Sequence, residues 1–179
     1  AKEQFMFAVN EGNFELAETH ISAALSENPK DIDLHLLAGD IFIELGKFNK
    51  AVETYRLAEK ISRKPNVMRK LAGGLSMAGD FPEAVKMLRK LTVDEKKEAE
   101  NWIALANVYV LADSIGQAEL AIARAREIDK NNVQAYVILG DLYFKQRVYE
   151  LSKDNYEEAL RLNPDLNDAR MKLAQSYYW

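Results

Sequence analysis

The sequence predicts an all-α solenoid of antiparallel helix hairpins, about 11 helices in all, from its internal repeats and composition. Small residues recur at Ala17, Ala51, Ala84, Ala118 and Ser152, at spacings of 34, 33, 34 and 34 residues. Four positions after each stands a large apolar residue: Ile21, Tyr55, Leu88, Ile122 and Tyr156. Three further on come Ala24, Ala58, Leu91, Ala125 and Ala159. The composition agrees, with 4 Pro and 8 Gly in 179 residues and an abundance of Ala, Leu, Glu and Lys, which lose little freedom in a helix.

The first helix of each hairpin repeats as well. One copy reads Tyr136-x2-Leu139-Gly140-x2-Tyr143, and another Trp102-x2-Leu105-Ala106-x2-Tyr109. Two weaker copies are His35-x2-Ala38-Gly39-x2-Phe42 and Met68-x2-Leu71-Ala72-x2-Leu75. Spacings of three and four put these residues on one helical face. Between the halves lie Gly12-Asn13-Phe14, Gly46-Lys47-Phe48 and Gly79-Asp80-Phe81, where glycine ends the helix in a left-handed conformation. The later copies have Asp113-Ser114-Ile115 and Gln146-Arg147-Val148 there, without glycine. Pro29 and Pro164 close the first and last copies.

This pattern resembles the tetratricopeptide repeat: W-x2-L-G-x2-Y, then A-x3-F-x2-A, then P. The resemblance covers essentially the whole chain. The units run 32–65, 66–98, 99–132 and 133–166, after a partial unit at 1–31 and before the first helix of a further one at 167–179. It implies a right-handed superhelix, with first helices on the concave wall and second helices on the convex one. Burying each large framework residue contributes roughly 1.5–3 kcal/mol. One hairpin cannot cover its own apolar face, so copies stack. The signature aromatics are therefore expected in the core, not in a cofactor box.

Several function classes are disfavoured. The net charge of −4, with 24 basic and 28 acidic residues interspersed, lacks the basic excess of a nucleic-acid binder. The stretch from Arg56 to Lys70 reads as solvated surface. No apolar run of 18 residues exists, so direct membrane insertion is not expected. With no cysteine, disulfides and thiolate metal sites are excluded while the compartment stays open, whether cytoplasmic or periplasmic. There is no dinucleotide fingerprint, no Walker A loop and no nucleophile elbow. His35 occupies the tryptophan position and is expected to pack; His20 belongs to a second helix and is expected at the surface. Neither has a partner at metal-ligand spacing. No catalytic residue, cofactor or metal is expected, and the chain reads as a non-enzyme. It begins at Ala1 without a leader-like segment and is read as part of a longer protein.

Function is then expected in non-signature residues of the first helices. The positions that line the groove in this family map onto Leu36, Asp40, Ile43, Arg69, Lys70, Gly73, Ile103, Asn107, Val110, Val137, Asp141 and Phe144. Chaperone-binding members grip a peptide's terminal carboxylate with a lysine, asparagine and arginine clamp. Here Lys2 is followed by Met6, Leu36 by Asp40 and Arg69 by Gly73, so no three consecutive units supply it. The groove is instead an apolar stripe broken by acids and amides. It suits a protein or peptide partner, an amphipathic helix or extended segment with apolar anchors. The competing expectation is that some of these residues pack against neighbouring first helices. Gly73-Gly74 is unusual inside a helix: it either admits a partner backbone, forms a soft point, or reflects divergence. The ending Ser176-Tyr177-Tyr178-Trp179 points to a continuing chain or to stacking on another copy, so a homo-oligomer is the alternative to an adaptor or scaffold.

Overall fold

A computed structural model describes residues 1–178. Trp179, last of the terminal aromatics, lies outside the described residues. Among these residues the structure is helical with no strand: α1 (Lys2–Asn10), α2 (Phe14–Glu27), α3 (Ile32–Glu44), α4 (Phe48–Ile61), α5 (Pro65–Met77), α6 (Phe81–Asp94), α7 (Ala99–Leu111), α8 (Ile115–Ile128), α9 (Val133–Lys145), α10 (Tyr149–Leu162) and α11 (Asn167–Tyr178). The chain divides into two compact units, Ala1–Leu88 and Arg89–Trp179. The first holds α1 to α5 and the start of α6; the second holds the rest of α6 and α7 to α11.

Local chemistry sets the helix ends. Asn13, Asp31 and Asn132 cap α2, α3 and α9 by accepting from the backbone N–H groups of Leu16, Leu34 and Ala135. Pro65 stands at the start of α5, where a missing N–H costs nothing. All five first helices that turn into a second one stop in the same way. The residue after the cap is left-handed, at φ 68° in Gly12, 67° in Gly46 and 89° in Gly79. The next N–H reaches five residues back, as in Lys47 N to Phe42 O at 2.8 Å and Val148 N to Tyr143 O at 2.9 Å. Asp113 at φ 54° and Arg147 at φ 62° hold the same conformation without glycine. The turn is thus imposed by hairpin packing, at a local cost of about 1–2 kcal/mol for Arg147.

The repeated small residues Ala17, Ala51, Ala84, Ala118 and Ser152 are all fully buried. Ser152 keeps its hydroxyl satisfied by donating to the Gly140 carbonyl at 3.0 Å, beside the Ser176 hydroxyl at 3.2 Å. The mid-helix small residue is matched to the large one opposite. A Cβ on Gly39 would fall 2.2 Å from Tyr55 Cε1, and one on Gly140 would fall 2.6 Å from Tyr156 Cε1. In the units that carry Leu88 and Ile122, the same position holds Ala72 and Ala106. Glycine makes room for tyrosine; alanine suffices for an aliphatic.

The tryptophan position has a polar duty beyond packing. His35 Nε2 lies 3.1 Å from the Pro29 carbonyl, and Tyr136 donates to the Lys130 carbonyl at 3.1 Å. Arg170 donates to the Pro164 carbonyl. Each contact reaches six residues back and ties the loop that precedes the first helix. Arg126 covers the Tyr136 ring at 4.6 Å. His35 is buried, with Nδ1 unpartnered among the described residues. Trp102 and Tyr143 are only half-buried, whereas Tyr109 and Tyr136 lie in the core.

Candidate partner-binding faces

In the first unit the expected groove residues lie on α3 and α5. Leu36 is 8% exposed and belongs to the core, so it is not an available anchor. The helix that carries it, α3, touches α5 as well as its own partner α4. Ile43 and Arg69 are half-buried, and Lys70 and Gly73 are exposed. Asp40 is held from two sides. The Tyr55 hydroxyl donates to Asp40 Oδ1 at 2.6 Å, and Lys70 Nζ contacts both carboxylate oxygens at 2.8 Å.

The second unit repeats this arrangement on its own. Tyr156 donates to Asp141 Oδ1 at 2.5 Å, and Lys172 Nζ donates to the same oxygen at 2.7 Å. Both ion pairs have more than a third of each side chain in solvent, so each contributes under about 1 kcal/mol. The tyrosine bonds come from side chains that are almost wholly buried. Burial, and then the neighbouring carboxylate, push both phenols well above the usual tyrosine range. These two acids therefore join consecutive hairpins and do not face a partner with free charge. They were expected as groove residues, but their lysine and tyrosine partners were not. The cue was legible: Gly39-Asp40 precedes Tyr55 as Gly140-Asp141 precedes Tyr156, by fifteen residues from each acid. Asn107, which faces Ile122 in that register, has no such phenol and is exposed.

Elsewhere in the second unit Ile103 is 8% exposed, on a helix, α7, that touches both α8 and α9, so it too is corrected from groove to core. Val110, Val137 and Phe144 are half-buried, and Leu111, next to Val110 in sequence, is 51% exposed. Phe144 meets the Tyr149 ring edge-on, with centroids 5.7 Å apart. An open slot of about 510 Å³ separates the start of α11 from α9, lined by Gln134, Val137, Asp165, Leu166, Asn167, Asp168, Ala169 and Lys172. The first unit has a smaller slot of about 240 Å³ between α1 and α3, lined by Lys2, Met6, Asp31, Asp33, Leu34 and Leu37.

Gly73 and Gly74 have opposite surroundings. A Cβ on Gly73 would meet nothing within 4 Å, whereas one on Gly74 would fall 2.9 Å from the Tyr55 ring. Gly74 thus lies by the Cδ2–Cε2 edge of the ring, and Gly39 by its Cδ1–Cε1 edge. Among the described residues no group of three or more His, Asp or Glu side chains is placed to hold a metal ion. No helix there is long and apolar enough to cross a membrane.

Two tetratricopeptide-repeat family models match, one over residues 8–72 and one over residues 133–166, together more than half of the chain. The chain belongs to the tetratricopeptide-repeat family. This tetratricopeptide chain is 27% identical over 156 residues to the repeat-containing protein YpiA of Bacillus subtilis, covering 84% of the chain and 36% of that protein. It is 23% identical over 126 residues to the human protein O-mannosyl-transferase TMTC1, covering 70% of the chain and 14% of that protein. The chain thus spans well under half the length of these curated relatives. Among solved structures, a thermophilic tetratricopeptide protein of Thermus thermophilus superposes with a TM-score of 0.80 over 100% of both chains at 19% identity. At that identity the likeness concerns the fold.

Proposed function

We propose that this tetratricopeptide chain is a non-catalytic interaction module that holds a partner polypeptide against the first-helix faces of its units. The supporting observation is the division of labour among side chains. Framework positions other than Trp102 and Tyr143 are mostly buried and their polar groups largely bonded within the chain, whereas Val110, Leu111, Val137 and Phe144 keep part of their apolar surface in solvent. Such surface favours an amphipathic helix or an extended segment with apolar anchors. A terminal-carboxylate clamp is not part of the proposal, because the required lysine, asparagine and arginine set is missing and Lys70 and Lys172 are engaged by the chain's own acids. The mannosyl-transferase likeness extends over 14% of that enzyme.

The test is affinity capture with the chain as bait, beside a variant carrying Val137→Lys and Phe144→Lys. Partner recovery should vanish while the helical circular-dichroism signal and melting stay close to the parent's. Retained capture by the variant would reject the proposal. A second reading, self-association through α11, draws on Met171 at 56% and Tyr178 at 82% exposure. Light scattering over a hundredfold concentration range discriminates: a constant monomer mass rejects self-association.

A further inference from the structure

The slot between α9 and α11 has an apolar floor and an unbalanced rim. Val137 and Leu166 are half-buried and Ala169 is buried, so the floor is aliphatic. Asp165 and Asp168 stand exposed on the rim, and neither is in an ion pair among the described residues. The lining cation, Lys172, is tied to Asp141 at 2.7 Å. Arg170 lies outside the lining and donates to two uncharged acceptors, Asn167 Oδ1 at 2.9 Å and the Pro164 carbonyl. The start of α11 adds roughly half a positive charge, which favours Asp168 there on its own account. Arg170 and the helix end together still leave the two carboxylates in excess.

The slot of the first unit shows the same asymmetry independently. Its cation, Lys2, is tied to Asp31 at 2.5 Å, Asp33 has no ion pair among the described residues, and Met6 and Leu37 supply the apolar wall. In both places the chain neutralises its own lysine and leaves an acid beside aliphatic surface. A lysine or arginine side chain has the complementary form, since its methylene stem lies on apolar surface while its charged head stays at a polar rim.

Resting on the interaction-module reading, we propose that the slot between α9 and α11 seats a basic side chain of an extended partner polypeptide. The stem lies on Val137 and Leu166, and the head bonds Asp165 and Asp168. Charge pairs this exposed are individually weak, so the two together correspond to a gain of roughly threefold to tenfold in affinity.

The experiment uses three capped heptapeptides that alternate leucine with arginine, with glutamine or with glutamate. Each is titrated into the full chain while backbone amide shifts are followed. The arginine peptide should bind roughly threefold to tenfold more tightly than the glutamine peptide and move amides in 134–137 and 165–172. That advantage should disappear in Asp165→Asn/Asp168→Asn, which removes charge but leaves the shape, and should shrink in high salt. Equal affinity for arginine and glutamate peptides, shifts confined to other helices, or no binding of the arginine peptide overturns the basic-anchor inference. Binding of the glutamine peptide that is lost in Val137→Lys/Phe144→Lys would support the interaction-module reading even then.

Discussion

Adjacent glycines in α5 offer a controlled measure of packing in this fold. Replacing either by alanine brings the same gain in helix propensity, about 1 kcal/mol. At Gly73 the new methyl meets open space, so the whole gain should appear as stability. At Gly74 the methyl would fall 2.9 Å from Tyr55 Cδ2 and 3.1 Å from Cε2. The ring has little room to retreat, because Gly39 lies by its opposite edge and its hydroxyl is bonded to Asp40 at 2.6 Å. Overpacking of this kind costs roughly 1–3 kcal/mol. Gly73→Ala should therefore stabilise by about 1 kcal/mol, and Gly74→Ala should fall below it by roughly 1–3 kcal/mol. For a unit of this size that separates the thermal midpoints by about 4 °C or more. The assay is thermal melting of both variants, with amide exchange of residues 52–58 and 66–77 to localise the change. Adding Tyr55→Leu to Gly74→Ala should recover part of the gap, since a leucine occupies that position in the next unit. If Gly74→Ala melts at or above Gly73→Ala, the account of Tyr55 as a ring held between two glycines is wrong.

Arg147→Gly should stabilise the second unit by about 1 kcal/mol in chemical denaturation, because the left-handed φ no longer opposes a side chain; an unchanged midpoint argues against strain there. Tyr156→Phe should cost about 1 kcal/mol through loss of the hydrogen bond to Asp141, with little further loss when Lys172→Met is added in high salt. A pH titration followed at tyrosinate absorbance should show Tyr55 and Tyr156 ionising last and together with unfolding. Their phenols are raised in the folded state, so the stability they contribute is full below the ordinary tyrosine range and is lost as pH rises toward the folded values. Full ionisation of all 8 tyrosines before any loss of helix would contradict this. At the acid end, Glu18 is lowered by hydrogen bonds from Lys47 and Lys50, and Asp31 by the one from Lys2. Stability linked to them is present above the ordinary carboxylate range and lost as pH falls through it, which salt-dependent melting of the first unit near pH 4 should report.

The helices, their turns and the framework residues could be read from the chain because a repeat states its pattern five times. Spacings of three and four define a face, and the small residue at Ala51 or Ala118 can only mean close approach. The glycine turn was legible in three copies and hidden in two, since Asp113 and Arg147 adopt the same conformation under pressure from packing and not by preference. Leu36 and Ile103 show where the groove could not be read. Their helical phase puts them on the first-helix face, yet both are buried in helices that touch the next first helix, and no local pattern encodes that distance. Asp40 and Asp141 show the complementary case. They were legible as polar groove positions, but the lysines that occupy them arrive from about thirty residues further along the chain.

The amino-acid pattern alone determined that the chain is a repeat of helix hairpins and which face of each helix is framework, because helical periodicity and turn chemistry act over a few residues. Tertiary structure alone decided which residues of the remaining face stay open and which are already engaged, because seams between consecutive hairpins and side chains reaching across them depend on separations in space. The aliphatic slot beside Asp165 and Asp168 belongs to that second class: its residues come from α9, a loop and α11, and only the fold brings them to one place.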